Sequence, residues 1–194
     1  MRPDLREQIL YSLGGRVCFI GLGNVDSGDD GFGVRLAEAL VRAGVPDVLI
    51  GATAPEPLAG RCARSGFDHL VFLDAVDFGA APGSVVFLNS GEMAARFPQV
   101  STHNLSLGML AKCVESAGQT RAGLLGAQPQ SLKRGLALSP ALQSTLSILA
   151  ELISNASFLS GRARTPCATP PAGDSPPCLA EARLTHTLSG GFEI

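Results

Sequence analysis

Two adjacent carboxylates, Asp29 and Asp30, stand between Gly28 and Gly31 in the segment FIGLGNVDSGDDGFG, residues 19–33. An apolar run at residues 17–20 precedes them and a periodic segment at residues 34–41 follows. The pattern predicts a strand, a tight loop and a helix, with both aspartates at the rim of the loop. The flanking glycines let the backbone approach a ligand and supply positive φ where the turn needs it. One carboxylate would suffice to cap the following helix, which leaves the other free for chemistry. A dinucleotide fingerprint fits poorly. Its third glycine would fall on Asp26, and the strand near residues 48–52 ends without an acidic residue for the ribose.

Asp74 is the second candidate. It directly follows an apolar strand within VFLDAVDFGAAPG, residues 71–83, where a carboxylate would face the ligand crevice of a parallel sheet. Asp77, three residues on, reads as a turn former. The third candidate is His103, in the loop before an amphipathic helix that Thr102 or Asn104 would cap. Leu105, Met109 and Cys113 form one row of that helix; Leu110, Val114 and Ala117 form an adjacent row. Two carboxylates and an imidazole on one sheet edge make a nitrogen–oxygen donor set suited to a borderline divalent metal, with positions left open.

The elements that must position these residues alternate from residue 16 to about 155. Strands are expected at 16–22, 47–52, 69–74, 84–88 and 121–126. Helices are expected at 33–43, 57–64, 105–117 and 140–154. In the last of these Ser139 is the N-cap and Pro140 the first helical residue, and Leu142, Leu146, Leu149 and Ile153 make its apolar stripe. The alternation implies an α/β fold of three layers: a twisted, mostly parallel mixed sheet of about five strands with helices on both faces. The strand at 84–88 follows its predecessor too closely for a helical crossover and should run antiparallel to it.

At 194 residues the chain suffices for one domain, expected at 1–155 with an amphipathic helix at 1–14. Residues 156–194 lack apolar periodicity and are rich in proline, as expected of a disordered tail. The net charge of −2 provides no basic footprint for nucleic acid. No apolar run is long enough for membrane insertion. The start of the chain is not built like a signal peptide, so a cytoplasmic protein is expected. Of the five cysteines, Cys18, Cys62 and Cys113 read as small buried hydrophobes. Cys167 and Cys178, with His186, match no common metal-site spacing.

Gly21-x-Gly-Asn24 followed by Gly28-Asp-Asp-Gly-x-Gly33 resembles the opening signature of the hydrogenase maturation endopeptidases. Asp74-Ala-Val-Asp-Phe-Gly-x-x-Pro-Gly83, Thr102-His-Asn-Leu-Ser-Leu107 and Gly126-Ala-Gln-Pro129 are similar to later motifs of that family, in the same order. Thr53-Ala-Pro-Glu56 resembles the subgroup serving formate-hydrogenlyase, or hydrogenase-3, enzymes. The resemblance spans residues 16–153, and only the polar Val25-Asp-Ser27 departs from the usual loop. It implies an endopeptidase that removes the C-terminal extension of a nickel-iron hydrogenase large-subunit precursor once nickel is inserted. Asp30, Asp74 and His103 would be the metal-binding and catalytic residues, with the nickel supplied by the substrate. Two mechanisms are open: metal-assisted hydrolysis, or an aspartate general base as in aspartyl proteases. A monomeric enzyme is expected. The alternative is a non-catalytic metal- or cofactor-binding α/β module acting in delivery or sensing. Cleavage of a nickel-loaded precursor separates the two.

Overall fold

The computed structural model describes residues 5–96 and 106–159. Five strands form one sheet: β1 (Val17–Leu22), β2 (Val48–Ala52), β3 (His69–Ala75), β4 (Val85–Asn89) and β5 (Arg121–Ala127), in the order β2-β1-β3-β5-β4. All neighbours are parallel except β4, which pairs antiparallel with β5. The sheet is therefore mixed, as expected. β4 also runs opposite to β3, but β5 inserts between them. β5 is buried over nearly its whole length, with Leu124 and Leu125 on opposite faces, whereas β4 is only half-buried. A strand apolar on both faces belongs inside the sheet and the half-exposed one at its edge.

Period-two alternation divides the strand side chains between two cores. Cys18, Ile20, Leu22, Leu70, Phe72 and Leu124 pack with α3 (Glu56–Ala63), α4 (Ser90–Arg96) and α5 (Leu107–Ala117). Phe19, Val71, Leu73 and Leu125 pack with α1 (Leu5–Ser12), α2 (Phe32–Arg42) and α6 (Pro140–Leu159). This is the expected three-layer arrangement. Among these described residues no helix is long and apolar enough to cross a membrane.

Several local expectations shift. α4 has no counterpart in the sequence reading. α6 continues to Leu159, with Ala156 packed on the core, so the boundary expected at 155 falls inside a helix. α5 begins at Leu107 rather than 105, capped by the Ser106 hydroxyl, which accepts from the Met109 N–H at 3.3 Å. Its buried face is Leu107, Leu110, Ala111 and Val114, and Met109 is 55% exposed. The cap moves the start of the helix, but the apolar row through Leu110 and Val114 still meets the sheet. Cys18 and Cys62 are buried free thiols with sulfurs 3.3 Å apart. Cys113 departs from the expectation of a free buried thiol, being half-buried and disulfide-bonded.

Small residues seat α2 on the sheet. A Cβ at Gly33 would lie 1.9 Å from the Leu73 carbonyl oxygen and 2.7 Å from that of Leu22, and one at Gly21 would lie 2.6 Å from the Ala37 Cβ. The start of α2 thus rests against the ends of β1 and β3. Gly33→Ala is expected to cost about 3 kcal/mol or more, because rigid backbone must move. Thermal unfolding measures this, and an unchanged melting temperature would contradict the close approach.

Candidate active site

The parallel strands β1, β3 and β5 end on one edge of the sheet. From β1 the chain crosses through α2 to β2 on one side, then through α3 back past β1 to β3. The gap between the ends of β1 and β3 is therefore the topological switch point, where open α/β sheets bind ligands. Asp30, in the loop after β1, and Asp74, at the end of β3, both lie there.

The loop after β1 turns on Gly23, whose φ of 104° suits only glycine, and its N–H donates to the Ala52 carbonyl of β2 at 3.0 Å. The chain then runs through a 3-10 turn, Gly28–Gly31, into α2. The Asp30 carboxylate folds back to accept from the Asn24 N–H at 2.9 Å. Asp74 Oδ1 accepts from the Ala75 N–H at 2.8 Å. A Cβ on Gly23 would stand 1.8 Å from the Asp30 carbonyl oxygen and 3.6 Å from Asp74 Oδ1. Glycine therefore keeps the space between the two acidic residues clear. Both are half-buried.

Burial pushes the Asp74 carboxyl up to about 7, the nearby Asp30 charge adds to this, and the Ala75 N–H offsets part of it. An Asp74 carboxyl held up by burial beside the Asp30 charge has two uses. A cation between them relieves the repulsion, and a carboxyl titrating near neutrality can exchange a proton with a water. Among the described residues no group of three His, Cys, Asp or Glu is placed to hold a metal ion. A metal bound to this pair would draw its remaining ligands from elsewhere.

His103, the expected third ligand, lies outside the described residues. Ser106, the first described residue after it, caps α5. The link from α5 to β5 spans only Gly118 to Thr120, so α5 runs back along the sheet and starts at the edge that carries Asp30 and Asp74.

The twin aspartates divide their work differently from the expectation that either caps α2. Gly31 is the N-cap residue, and no side chain bonds there. Asp29 lies not at the rim but inside, 1% exposed, and clamps the loop after β5. Its Oδ2 accepts from the N–H groups of Gln130 (2.7 Å) and Ser131 (3.2 Å), and its Oδ1 from that of Ser139 (2.6 Å). Burial acts to raise its pKa, but these donors outweigh it and hold the carboxyl below 3.8.

Asp77 is the turn former expected, with Oδ1 accepting from the Gly79 N–H at 3.1 Å. Gln128 completes that turn, a role absent from the sequence reading. Its Nε2 donates to Asp77 Oδ1, and its Oε1 accepts from the N–H groups of Phe78 and Ala80. A glutamine between the apolar end of β5 and Pro129 was the available signal.

Comparison with known proteins places the fold and sequence in a family. The HycI hydrogenase maturation protease family model matches residues 34–156. The chain is 32% identical over 139 residues to the hydrogenase 2 maturation protease of Escherichia coli K12, covering 68% of this chain and 84% of that protein. It is 33% identical over 153 residues to the hydrogenase expression/formation protein HoxM of Azotobacter vinelandii, covering 70% and 72%. The crystal structure of the [NiFe] hydrogenase maturation protease HycI from Thermococcus kodakarensis superposes with a TM-score of 0.70 at 31% identity, over 78% of this chain and 99% of that one. The E. coli maturating endopeptidase HybD superposes with a TM-score of 0.60 at 29% identity, over 75% and 94%. With the family model, the sequence identities and the fold in agreement, the chain belongs to the hydrogenase maturation protease family.

Proposed function

We propose that this endopeptidase removes the C-terminal extension of a nickel-iron hydrogenase large-subunit precursor and recognises nickel already held by that precursor. The observation that carries the reading is the placing of Asp30 and Asp74 together at the switch point, close enough that the Asp30 charge acts on the Asp74 carboxyl, a repulsion an incoming cation would relieve. Asp30, Asp74 and His103 complete the coordination of the substrate's nickel, which brings the scissile peptide to the crevice. Asp74, titrating near neutrality, is the group suited to take a proton from an attacking water. The resemblance of Thr53-Ala-Pro-Glu56 favours a precursor of the hydrogenase-3 type.

Two carboxylates and one imidazole are too few ligands for a closed metal site. The purified enzyme is therefore expected to carry little stoichiometric nickel and to survive chelator treatment. Nickel-free precursor should remain uncut even at high enzyme concentration, while nickel-loaded precursor is shortened. Metal analysis of the enzyme with a gel assay on both precursors checks this. A tightly held, activity-essential metal in the free enzyme would instead indicate an ordinary metalloprotease.

A further inference from the structure

Beside the Asp30 arm the surface changes character. Val25, Leu132 and Leu136 are 37%, 52% and 49% exposed, unusual for three apolar side chains on two loops that touch. Val25, Asp26, Arg134 and Leu136 line an open hollow of about 530 Å³ between the loop after β1 and the loop after β5.

The hollow has a fixed shape. The Gly135 N–H donates to the Asp26 carbonyl at 2.8 Å and the Asp29 N–H to that of Ser131 at 3.0 Å. The buried Asp29 carboxylate ties the far loop at three backbone positions. Gly28 lies so close that a Cβ there would meet the Ser131 carbonyl oxygen at 2.9 Å. Burying a charge is costly, and the result here is a loop locked to the segment that carries Asp30. Loops locked in this way present side chains in a set geometry, which lowers the ordering cost of binding.

Charge gives the surface a direction. The crevice is negative through Asp30 and Asp74. Beyond it stand Lys133 and Arg134, both exposed and in no ion pair among the described residues, with Asp26 the one acidic side chain lining the hollow. A substrate carrying a cation at the cleavage point and a carboxylate farther along matches that polarity.

We propose that this hollow docks the precursor segment flanking the scissile peptide, an apolar side chain entering between Val25 and Leu136 and a carboxylate of the same segment meeting Arg134. This rests on the peptidase reading above and extends it to substrate recognition. The hollow adjoins the Asp30 segment: Val25, on its rim, directly follows Asn24, whose N–H holds the Asp30 carboxylate at 2.9 Å, and a Cβ at Gly31 would lie 2.8 Å from the Val25 Cα.

The test uses the full chain and nickel-loaded large-subunit precursor, comparing wild type with Arg134→Glu and Leu136→Ser. Each substitution is expected to raise KM at least about tenfold, equivalent to about 1.4 kcal/mol, with kcat within about twofold and the melting temperature unchanged. The kcat/KM of wild type should fall with added salt, and Arg134→Glu should flatten that dependence. Unchanged KM in both variants overturns the proposal, as does a loss confined to kcat or accompanied by unfolding. Precursor binding is also measured by calorimetry, independently of cleavage. Wild type that binds but does not cut would undo the peptidase reading, whereas weakened binding of the variants would still uphold docking at the hollow.

Discussion

Asp74→Asn is expected to reduce precursor cleavage at least about a hundredfold, the contribution of one positioned acid–base group, while raising the stability of the folded chain at pH 8. The two effects share one cause. Burial and the neighbouring Asp30 lift the Asp74 carboxyl from 3.8 to about 7 in the folded protein. Between those values the folded state holds a proton that the unfolded chain lacks. Stability therefore falls as pH rises through this window, and the penalty is complete above about 7. Asparagine has no charge to bury, so the variant escapes a cost on the order of a few kcal/mol. Denaturant unfolding at pH 5 and pH 8 should show a pH-dependent loss in wild type that is smaller in the variant. Asp30→Asn should also abolish cleavage, and it should lower the Asp74 pKa by removing the neighbouring charge. Undiminished cleavage by Asp74→Asn would remove that residue from the site.

Asp29→Ala should have the opposite signature, an expected loss of about 3 kcal/mol or more. The substitution strands the N–H groups of Gln130, Ser131 and Ser139 without their acceptor and frees the loop after β5. Its acid profile is separable from that of Asp74. Because the folded pKa of Asp29 is depressed, its stabilisation is present above the unfolded value of 3.8 and is lost as pH falls through the lower folded value. Wild type should therefore lose stability below about pH 4 by a term that the variant lacks. Asp29→Asn keeps one acceptor oxygen and should fall between them. Equilibrium unfolding of the three proteins across pH 3–7 measures this. A variant as stable as wild type would mean that the clamp bears little weight.

Much of the architecture was legible because it is local. The apolar run of β1, the Ser139–Pro140 start of α6 and the Asx turn at Asp77 each follow from residues within a few positions of one another. Asp74 as an acidic residue ending an apolar strand was legible for the same reason. The five strands and the antiparallel direction of β4 followed from alternation and loop length.

What the chain alone did not reveal depends on distant partners. Which aspartate of the pair is buried is settled by backbone groups 101 to 110 residues away. That β5 enters between β3 and β4 depends on long-range pairing, which a short β3–β4 connection does not encode. Ser106, Asn104 and Thr102 are all competent caps by residue type, and the folded chain uses Ser106. The glycines of the opening motif were visible, but only the tertiary structure shows that Gly33 admits the Leu73 carbonyl and Gly23 clears the space between Asp30 and Asp74. Local spacing thus determined which residues could do chemistry. Contacts across the fold decided which carboxylate is buried as a clamp and which is left at the crevice, because desolvation and hydrogen bonding are set by neighbours that only the folded chain brings together.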